Sequence, residues 1–143
     1  MLDNITVSFM SFSPDSVKHL LESVPAAAVC QLVDDVNVEE IREELGLGAI
    51  TGGALANVMK AAQTEAERIL DDCETGLAGP GINYVREHSR TIRRWLGSGR
   101  RFRVWTVDSE DDVALCQGLG IHEITTNRPA QVLAQLSAGA RSL

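Results

Sequence analysis

The sequence predicts an α/β fold of about five parallel strands alternating with helices, and three observations carry that prediction. Short β-branched or apolar runs take turns with amphipathic stretches along the chain, the pattern of parallel strands joined by helical crossovers. One run, Ala26-Ala27-Ala28-Val29-Cys30-Gln31-Leu32-Val33, has a single polar residue, as expected of a strand covered on both faces. Gly and Pro clusters punctuate the boundaries between runs.

The first strand is expected at Ile5 to Ser11. Ser13 can then cap a helix that opens on Pro14, where the missing N–H costs nothing, and runs through Val17, Leu20 and Leu21. Pro25 ends that helix, and the apolar run from Ala26 to Val33 is the second strand. A short acidic helix, Val38 to Leu45, leads to a connection containing Gly46, Gly48, Gly52 and Gly53, which reads as a loop.

From Ala54 to about Cys73, the residues Leu55, Val58, Met59, Ala62, Ala66, Ile69 and Leu70 recur at helical spacing. Gly76, Gly79, Pro80 and Gly81 then precede an expected strand at Ile82 to Val85 and a helix from Glu87 to Leu96, ended by Gly97 and Gly99. Strand Phe102 to Val107, helix Glu110 to Leu119, strand Ile121 to Thr126 and helix Pro129 to Leu136 complete the series. No internal repeat or low-complexity segment interrupts it.

At 143 residues and 44 % apolar composition, the chain can build a core of its own, and one domain over residues 1–143 is expected. The net charge of −7 is uneven, with 14 acids against 4 bases in residues 1–80 and 6 acids against 9 bases in residues 81–143. An acidic total argues against general nucleic-acid binding. No apolar run approaches the roughly 20 residues of a membrane span, and the start Met1-Leu2-Asp3-Asn4 lacks the positive charge of a secretory signal, so a cytoplasmic location is expected.

Cys30, Cys73 and Cys116 stand far apart with no C-x-x-C pair, which indicates reduced thiols packed as small hydrophobes rather than a zinc site or disulfides. His19, His88 and His122 lie on separate elements with no ligand partner at i, i+4, which suits structural or solvent-exposed roles. Asp34-Asp35 and Asp71-Asp72 lack the regular oxygen-donor spacing of a calcium loop and read as turn and helix-end residues. Arg86, Arg90, Arg93 and Arg94, with Arg100, Arg101 and Arg103, form a basic cluster whose first members would share one helix face. The plainer reading of that cluster is a solvated surface complementing the acidic N-terminal half, the other an anion-docking site. An open nucleotide-binding sheet is a further possibility, but no Gly-x-Gly-x-x-Gly or phosphate-loop motif supports it.

Three stretches carry a resemblance. Val104-Trp105-Thr106-Val107-Asp108, then Gly118-Leu119-Gly120-Ile121, then Ile124-Thr125-Thr126-Asn127-Arg128-Pro129 resemble the terminal signature of the glycerophosphodiester phosphodiesterase family. That signature reads Trp-Thr-Val-Asn followed by Gly-Val-Asp-Gly-Ile-x-Thr-Asp-x-Pro. Ser11-Phe12-Ser13-Pro14 resembles the family's Ser-Phe-Asp-Pro element at the end of its fourth barrel strand, and Gln31-Leu32-Val33 a Gln-Leu pair in the fifth. The chain departs from the signature at Asp108, where Asn is usual, at His122-Glu123 in place of Asp-Gly, and at Asn127 in place of Asp.

The resemblance covers most of residues 5–137 and implies an incomplete TIM-type barrel holding strands four to eight. It implies hydrolysis of glycerophosphodiesters to glycerol 3-phosphate and an alcohol, in lipid and glycerol metabolism, with a divalent cation, calcium or magnesium. The family's His-Arg-Gly element, its paired metal-binding acids and its general-acid His belong to the first three strands, and no His-Arg-Gly occurs here. The expectation is therefore a truncated form that binds no metal and is inactive alone, with no catalytic residue of its own. The residues left to line a substrate pocket are Ser11, Phe12, Gln31, Trp105 and Thr106, with Trp105 packing on glycerol carbons if its strand face turns inward.

Two kinds of partner follow: a small phosphodiester if the site is completed, and a second copy or a complementing barrel fragment for the open strand edges. A non-catalytic partial barrel that self-associates or binds a protein is the alternative to the enzyme reading.

Overall fold

A computed structural model describes residues 5–46 and 48–141; the acidic start Met1-Leu2-Asp3-Asn4 lies outside the described residues. The chain forms two compact units, Met1–Ala78 and Gly79–Leu143.

In the first unit, strand β1 (Phe9–Ser11) leads into helix α1 (Pro14–Leu21). Ser13 caps α1 as its spacing predicts: its Oγ accepts a hydrogen bond from Ser16 N at 3.2 Å, and Pro14 occupies the first turn. Strand β2 (Val29–Val33) pairs parallel with β1, with Phe9 opposite Val29 and Ser11 opposite Gln31. A single 3-10 turn, Ala26–Ala28, replaces the first three residues of the expected second strand. Val17 of α1, Val29 of β2 and Ile69 are wholly buried together, with Leu20, Leu21 and Val24 packed against them.

Helix α2 (Val38–Leu45) matches its expected bounds, capped by Asn37 and closed by Gly46 in the left-handed conformation at φ 61°. The glycine connection is shorter than the loop the sequence suggested, since only Gly46 and Gly48 of its four glycines lie between helices. Helix α3 (Ala49–Asp71) runs straight through Gly52 and Gly53. A Cβ on Gly52 would stand 2.7 Å from Cγ of Arg42 on α2, so the glycine permits the close approach of the two helices. That packing outweighs the roughly 1 kcal/mol helix penalty of each glycine.

Strand β3 (Leu77–Pro80) spans the boundary between the units and corrects the expected strand at Ile82 to Val85. Leu-Ala-Gly-Pro is buried throughout but reads as turn residues, since a strand tolerates Pro only at its ends or edges. In the second unit, Ile82-Asn83-Tyr84-Val85 instead opens helix α4 (Ile82–Glu87), which buries Tyr84 and Val85. The helix expected from Glu87 is interrupted at His88 and resumes as α5 (Ser89–Gly97). Arg86 therefore lies on α4 and Arg90, Arg93 and Arg94 on α5, correcting the single continuous face.

Strand β4 (Arg101–Val104) and strand β5 (Glu123–Ile124) pair parallel, both shorter than expected. Helix α6 (Glu110–Leu119) has the predicted bounds, with Ser109 as its cap and Gly120 left-handed at φ 74°. Helix α7 (Pro129–Arg141) continues past Leu136. The core of this unit is aromatic at one side: the rings of Tyr84 and Trp95 stack 6.0 Å apart, and Phe102 lies 6.4 Å from Trp95. Among the described residues no helix is long and apolar enough to cross a membrane.

Candidate functional site

In each unit the parallel strands bring residues of the resemblance to their C-terminal ends, the position from which loops of β/α folds build sites. Ser11 is the last residue of β1 and Phe12 follows it, 53 % exposed. Gln31 lies mid-strand in β2 rather than at its end and is wholly buried. Its Nε2 donates to the carbonyls of Ser11 at 3.1 Å, Phe12 at 3.2 Å and Leu32 at 2.9 Å. Gln31 thus holds the turn that carries Ser11 and Phe12, an arrangement that its solitary polar place in an apolar run foreshadows. Its Oε1 is buried with no protein partner.

Beside Phe12 the first unit forms an open cavity of about 500 Å³. Leu32 and Val33 of β2, Ile41 of α2, and Met59, Ala62 and Ala66 of α3 give it apolar walls. Gln63 fastens its rim: Val36 N donates to Oε1 at 3.2 Å, and Nε2 donates to Asp35 Oδ1 at 3.1 Å and to Glu67 Oε1 at 3.2 Å. The sequence marks Met59, Ala62 and Ala66 only as part of an apolar helix stripe, which does not disclose the cavity. Gln63, a polar residue one turn after Met59 on that apolar stripe, was the available signal.

In the second unit, Trp105 and Thr106 follow β4 and are half-buried. The indole N–H donates to Gly79 O at 2.8 Å, Trp105 O accepts from Ile82 N at 2.6 Å, and Trp105 N donates to Pro80 O at 3.4 Å. These bonds tie Trp105 to the end of β3 and the start of α4. Two residues on, Asp108 reaches the β5–α7 turn. Its Oδ1 accepts from Thr126 Oγ1 at 2.9 Å and Asn127 N at 2.8 Å, and its Oδ2 accepts from Asn127 Nδ2 at 3.2 Å. The backbone N–H of Asn127 foremost, and then the Thr126 hydroxyl, hold the Asp108 carboxyl below its ordinary range.

Arg86, Arg101 and Arg103 of the basic cluster have acidic partners within the second unit. Arg86 is ion-paired with Asp112 of α6, and its Nη1 donates to Asn83 Oδ1 at 2.6 Å. Arg101 and Arg103 both reach Glu123, at 3.0 and 2.8 Å. Of the histidines, His19 lies exposed 3.4 Å from Glu22, His88 stacks on Tyr84 with ring centres 4.1 Å apart, and His122 Nδ1 accepts from Phe102 N at 3.3 Å. Asp34 Oδ1 accepts from Asp35 N, the turn role expected of that pair, and Asp72 accepts from Arg68 at the end of α3.

Among the described residues no three His, Cys, Asp or Glu side chains come together as cation ligands. The described residues therefore supply no ligand set that fits a calcium or magnesium ion of the kind the resemblance implies.

Parallel strands each followed by a helix, with the marked residues at their C-terminal ends, define a segment of a β/α-barrel protein. The model of the glycerophosphoryl diester phosphodiesterase family matches residues 1–131, and the chain belongs to that family. It is 30 % identical over 61 residues to "Probable glycerophosphodiester phosphodiesterase 1" of Mycobacterium tuberculosis, in each of two strains, a match covering 43 % of this chain and 22 % of the relative. A solved structure from Agrobacterium tumefaciens str. C58, assigned as a glycerophosphoryl diester phosphodiesterase, shares the fold at a TM-score of 0.60 and 18 % identity, over 95 % of this chain and 45 % of that one. The chain thus spans under half of that structure and under a quarter of the matched relatives.

Proposed function

We propose that the chain forms the substrate-facing wall of a site that hydrolyses glycerophosphodiesters to glycerol 3-phosphate and an alcohol, and that these 143 residues alone do not turn over. Family membership across residues 1–131 is the observation that carries the reading. Ser11, Phe12, Trp105 and Thr106 line the pocket, with Gln31 buried behind Ser11 and Phe12 and holding their turn, the Trp105 indole against the glycerol carbons and Thr106 offering its hydroxyl. The metal-binding and proton-transferring groups come from outside these residues. The work belongs to the recycling of deacylated phospholipids, in the cytoplasm.

A second reading has its own observation. Ile5, Val7, Phe9, Met10 and Phe12, in and beside β1, are all exposed, from 41 % for Phe9 to 60 % for Ile5. Such an apolar strand favours association, so the alternative is a non-catalytic partial barrel that pairs with a second copy or with a complementing barrel fragment.

The test is hydrolysis of glycerophosphocholine by the purified chain with calcium or magnesium, with its mass in solution measured alongside. No turnover, with activity gained on adding a fragment that carries the family's His-Arg-Gly element, supports the first reading. No turnover from a folded self-associated chain, with no gain on complementation, supports the second. Metal-dependent turnover by the chain alone, abolished by Trp105→Ala, overturns the inactivity.

A further inference from the structure

The phosphodiester reading fixes glycerol 3-phosphate as one product and leaves the alcohol open, and the cavity of the first unit bears on that choice. Phe12, which that reading places in the pocket, also lines the cavity and is 53 % exposed. Val33, the last residue of β2, and Leu32 before it form the adjoining wall. The cavity therefore lies at the C-terminal ends of β1 and β2, the side on which loops of β/α folds build sites. It continues the pocket at Phe12 rather than forming a separate one.

Beyond Phe12 the walls are hydrocarbon: Leu32, Val33, Ile41, Met59 and Ala66. Polar groups at the edge serve the turn that leaves β2. Asp34 Oδ1 accepts from Asp35 N at 3.0 Å, Asp35 Oδ1 accepts from Gln63 Nε2 at 3.1 Å, and Asn37 Oδ1 caps α2 by accepting from Glu40 N at 3.3 Å. Glu40 and Glu44 also line the cavity and are exposed on α2. A volume of about 500 Å³ falls in the range of small-molecule pockets. Such walls favour a hydrocarbon group, whereas a sugar or a second glycerol would strand its hydroxyls against them. The phosphate, being charged, stays outside them in water.

We propose that this cavity receives the alcohol group of the phosphodiester and selects alcohols that are hydrocarbon chains. The proposal rests on the phosphodiester reading and adds to it the class of alcohol released.

The probes are the methyl, propyl and hexyl esters of glycerol 3-phosphate and glycerophosphocholine, each titrated into the 143-residue chain while the backbone signals of Met59 and Ala62 are followed by NMR. Affinity should rise roughly threefold per methylene, with shifts at both residues, and glycerophosphocholine should bind no more tightly than the methyl ester. Ala62→Phe, which puts a ring into the cavity, should bring the hexyl ester down to the level of the methyl ester while the far-UV circular dichroism is unchanged. If that variant does not fold, the wild-type series decides. With the complementing fragment present, the hexyl ester should show a lower KM than glycerophosphocholine, and Ala62→Phe should remove that difference without changing glycerophosphocholine turnover. Flat affinity across the series, or shifts that bypass Met59 and Ala62, together with glycerophosphocholine turnover on complementation, overturns this proposal and leaves the phosphodiester reading standing. Affinity that climbs with chain length while no probe is turned over on complementation overturns that reading, and with it the assignment of the bound chain as a leaving alcohol.

Discussion

Asp108 and Asn127 face each other across the β4–α6 and β5–α7 turns, carboxylate to amide, with the Asp108 oxygens accepting both the backbone and the side-chain N–H of Asn127. The family signature has Asn at the first position and Asp at the second, so this chain carries the same pair of functional groups exchanged between the two turns. We predict that the two departures compensate each other. Asp108→Asn alone sets two amides against each other and weakens three hydrogen bonds, and Asn127→Asp alone sets two carboxylates together. Each single variant should lower the urea midpoint of unfolding, and the double exchange should recover most of the loss. A double variant no better than the worse single would refute the compensation.

The carboxyl of Glu65 is held down to about 2, first by its hydrogen bonds from Arg68 and then by those from Lys18. Asp108 is lowered as well. A depressed folded-state pKa contributes stability that is present above the unfolded value of about 4 and lost as pH falls toward the folded one. Stability should therefore hold from pH 7 to near 5 and decline below about 4.5. Glu65→Gln should flatten the decline between about pH 4.5 and 2. Urea titrations across that range measure it, and a parallel slope in the variant would show that Glu65 does not contribute.

Gly76 is pinned under the 3-10 turn: its N–H donates to Ala26 O at 2.8 Å, and an added Cβ would lie 2.7 Å from Ala27 Cα and 3.0 Å from Ala26 O. Both neighbours are backbone and cannot rotate aside. Gly76→Ala should cost about 2 kcal/mol, in the range of overpacked substitutions. Gly97→Ala, with nothing within 4 Å of the added carbon, should be neutral or slightly favourable. Chemical denaturation of the two variants side by side checks both.

What the sequence made legible follows from where local rules and packing agree. Helices α1, α2 and α6 have Ser13, Asn37 and Ser109 as caps and Gly46 and Gly120 as stops, so their bounds could be read directly. The misreadings fall where packing overrides local preference. Leu77-Ala78-Gly79-Pro80 is a strand buried at every residue despite its turn-favouring Gly and Pro, and Ile82-Asn83-Tyr84-Val85 is a helix because Tyr84 and Val85 pack inward, despite β-favouring side chains. The terminal signature identified the family through Trp105, Thr106 and the β5–α7 turn. The cavity beside Phe12 stayed hidden, since periodicity says which face of α3 is apolar but not whether a neighbour fills the space against it.

Cys73 departs from the expectation of three packed thiols: Cys30 and Cys116 are buried, while Cys73 is exposed. It sits at φ 57° just past α3, where Glu74 N donates to Ile69 O at 3.1 Å and Cys73 N to Leu70 O at 3.4 Å, the paired bonds of a helix stop that favours glycine. Cys73→Gly should stabilise the chain by about 1 kcal/mol. A maleimide should label Cys73 alone in the folded state, because burial, and then the charge of Asp112, push the Cys116 thiol up to about 11. Rapid labelling of a second cysteine under native conditions would contradict this burial.

Gln31 gives the sharpest test of how the Ser11–Phe12 turn is held. One buried amide nitrogen lies within hydrogen-bond distance of three carbonyls, two of them on that turn, so a side chain of similar size without a donor removes a buried hydrogen-bond donor from the turn. Gln31→Leu should cost about 2–3 kcal/mol even though it removes the unpartnered Oε1, since the unmet carbonyls outweigh that relief. Gln31→Glu should cost more, because it buries a charge and keeps no N–H to donate. The local consequence is separable from the global one: amide exchange at Ser11 and Ser13 should quicken in Gln31→Leu beyond what the lost stability accounts for. Exchange that rises only in proportion to global unfolding would mean the turn is held by the cap of α1, with Gln31 serving the core alone.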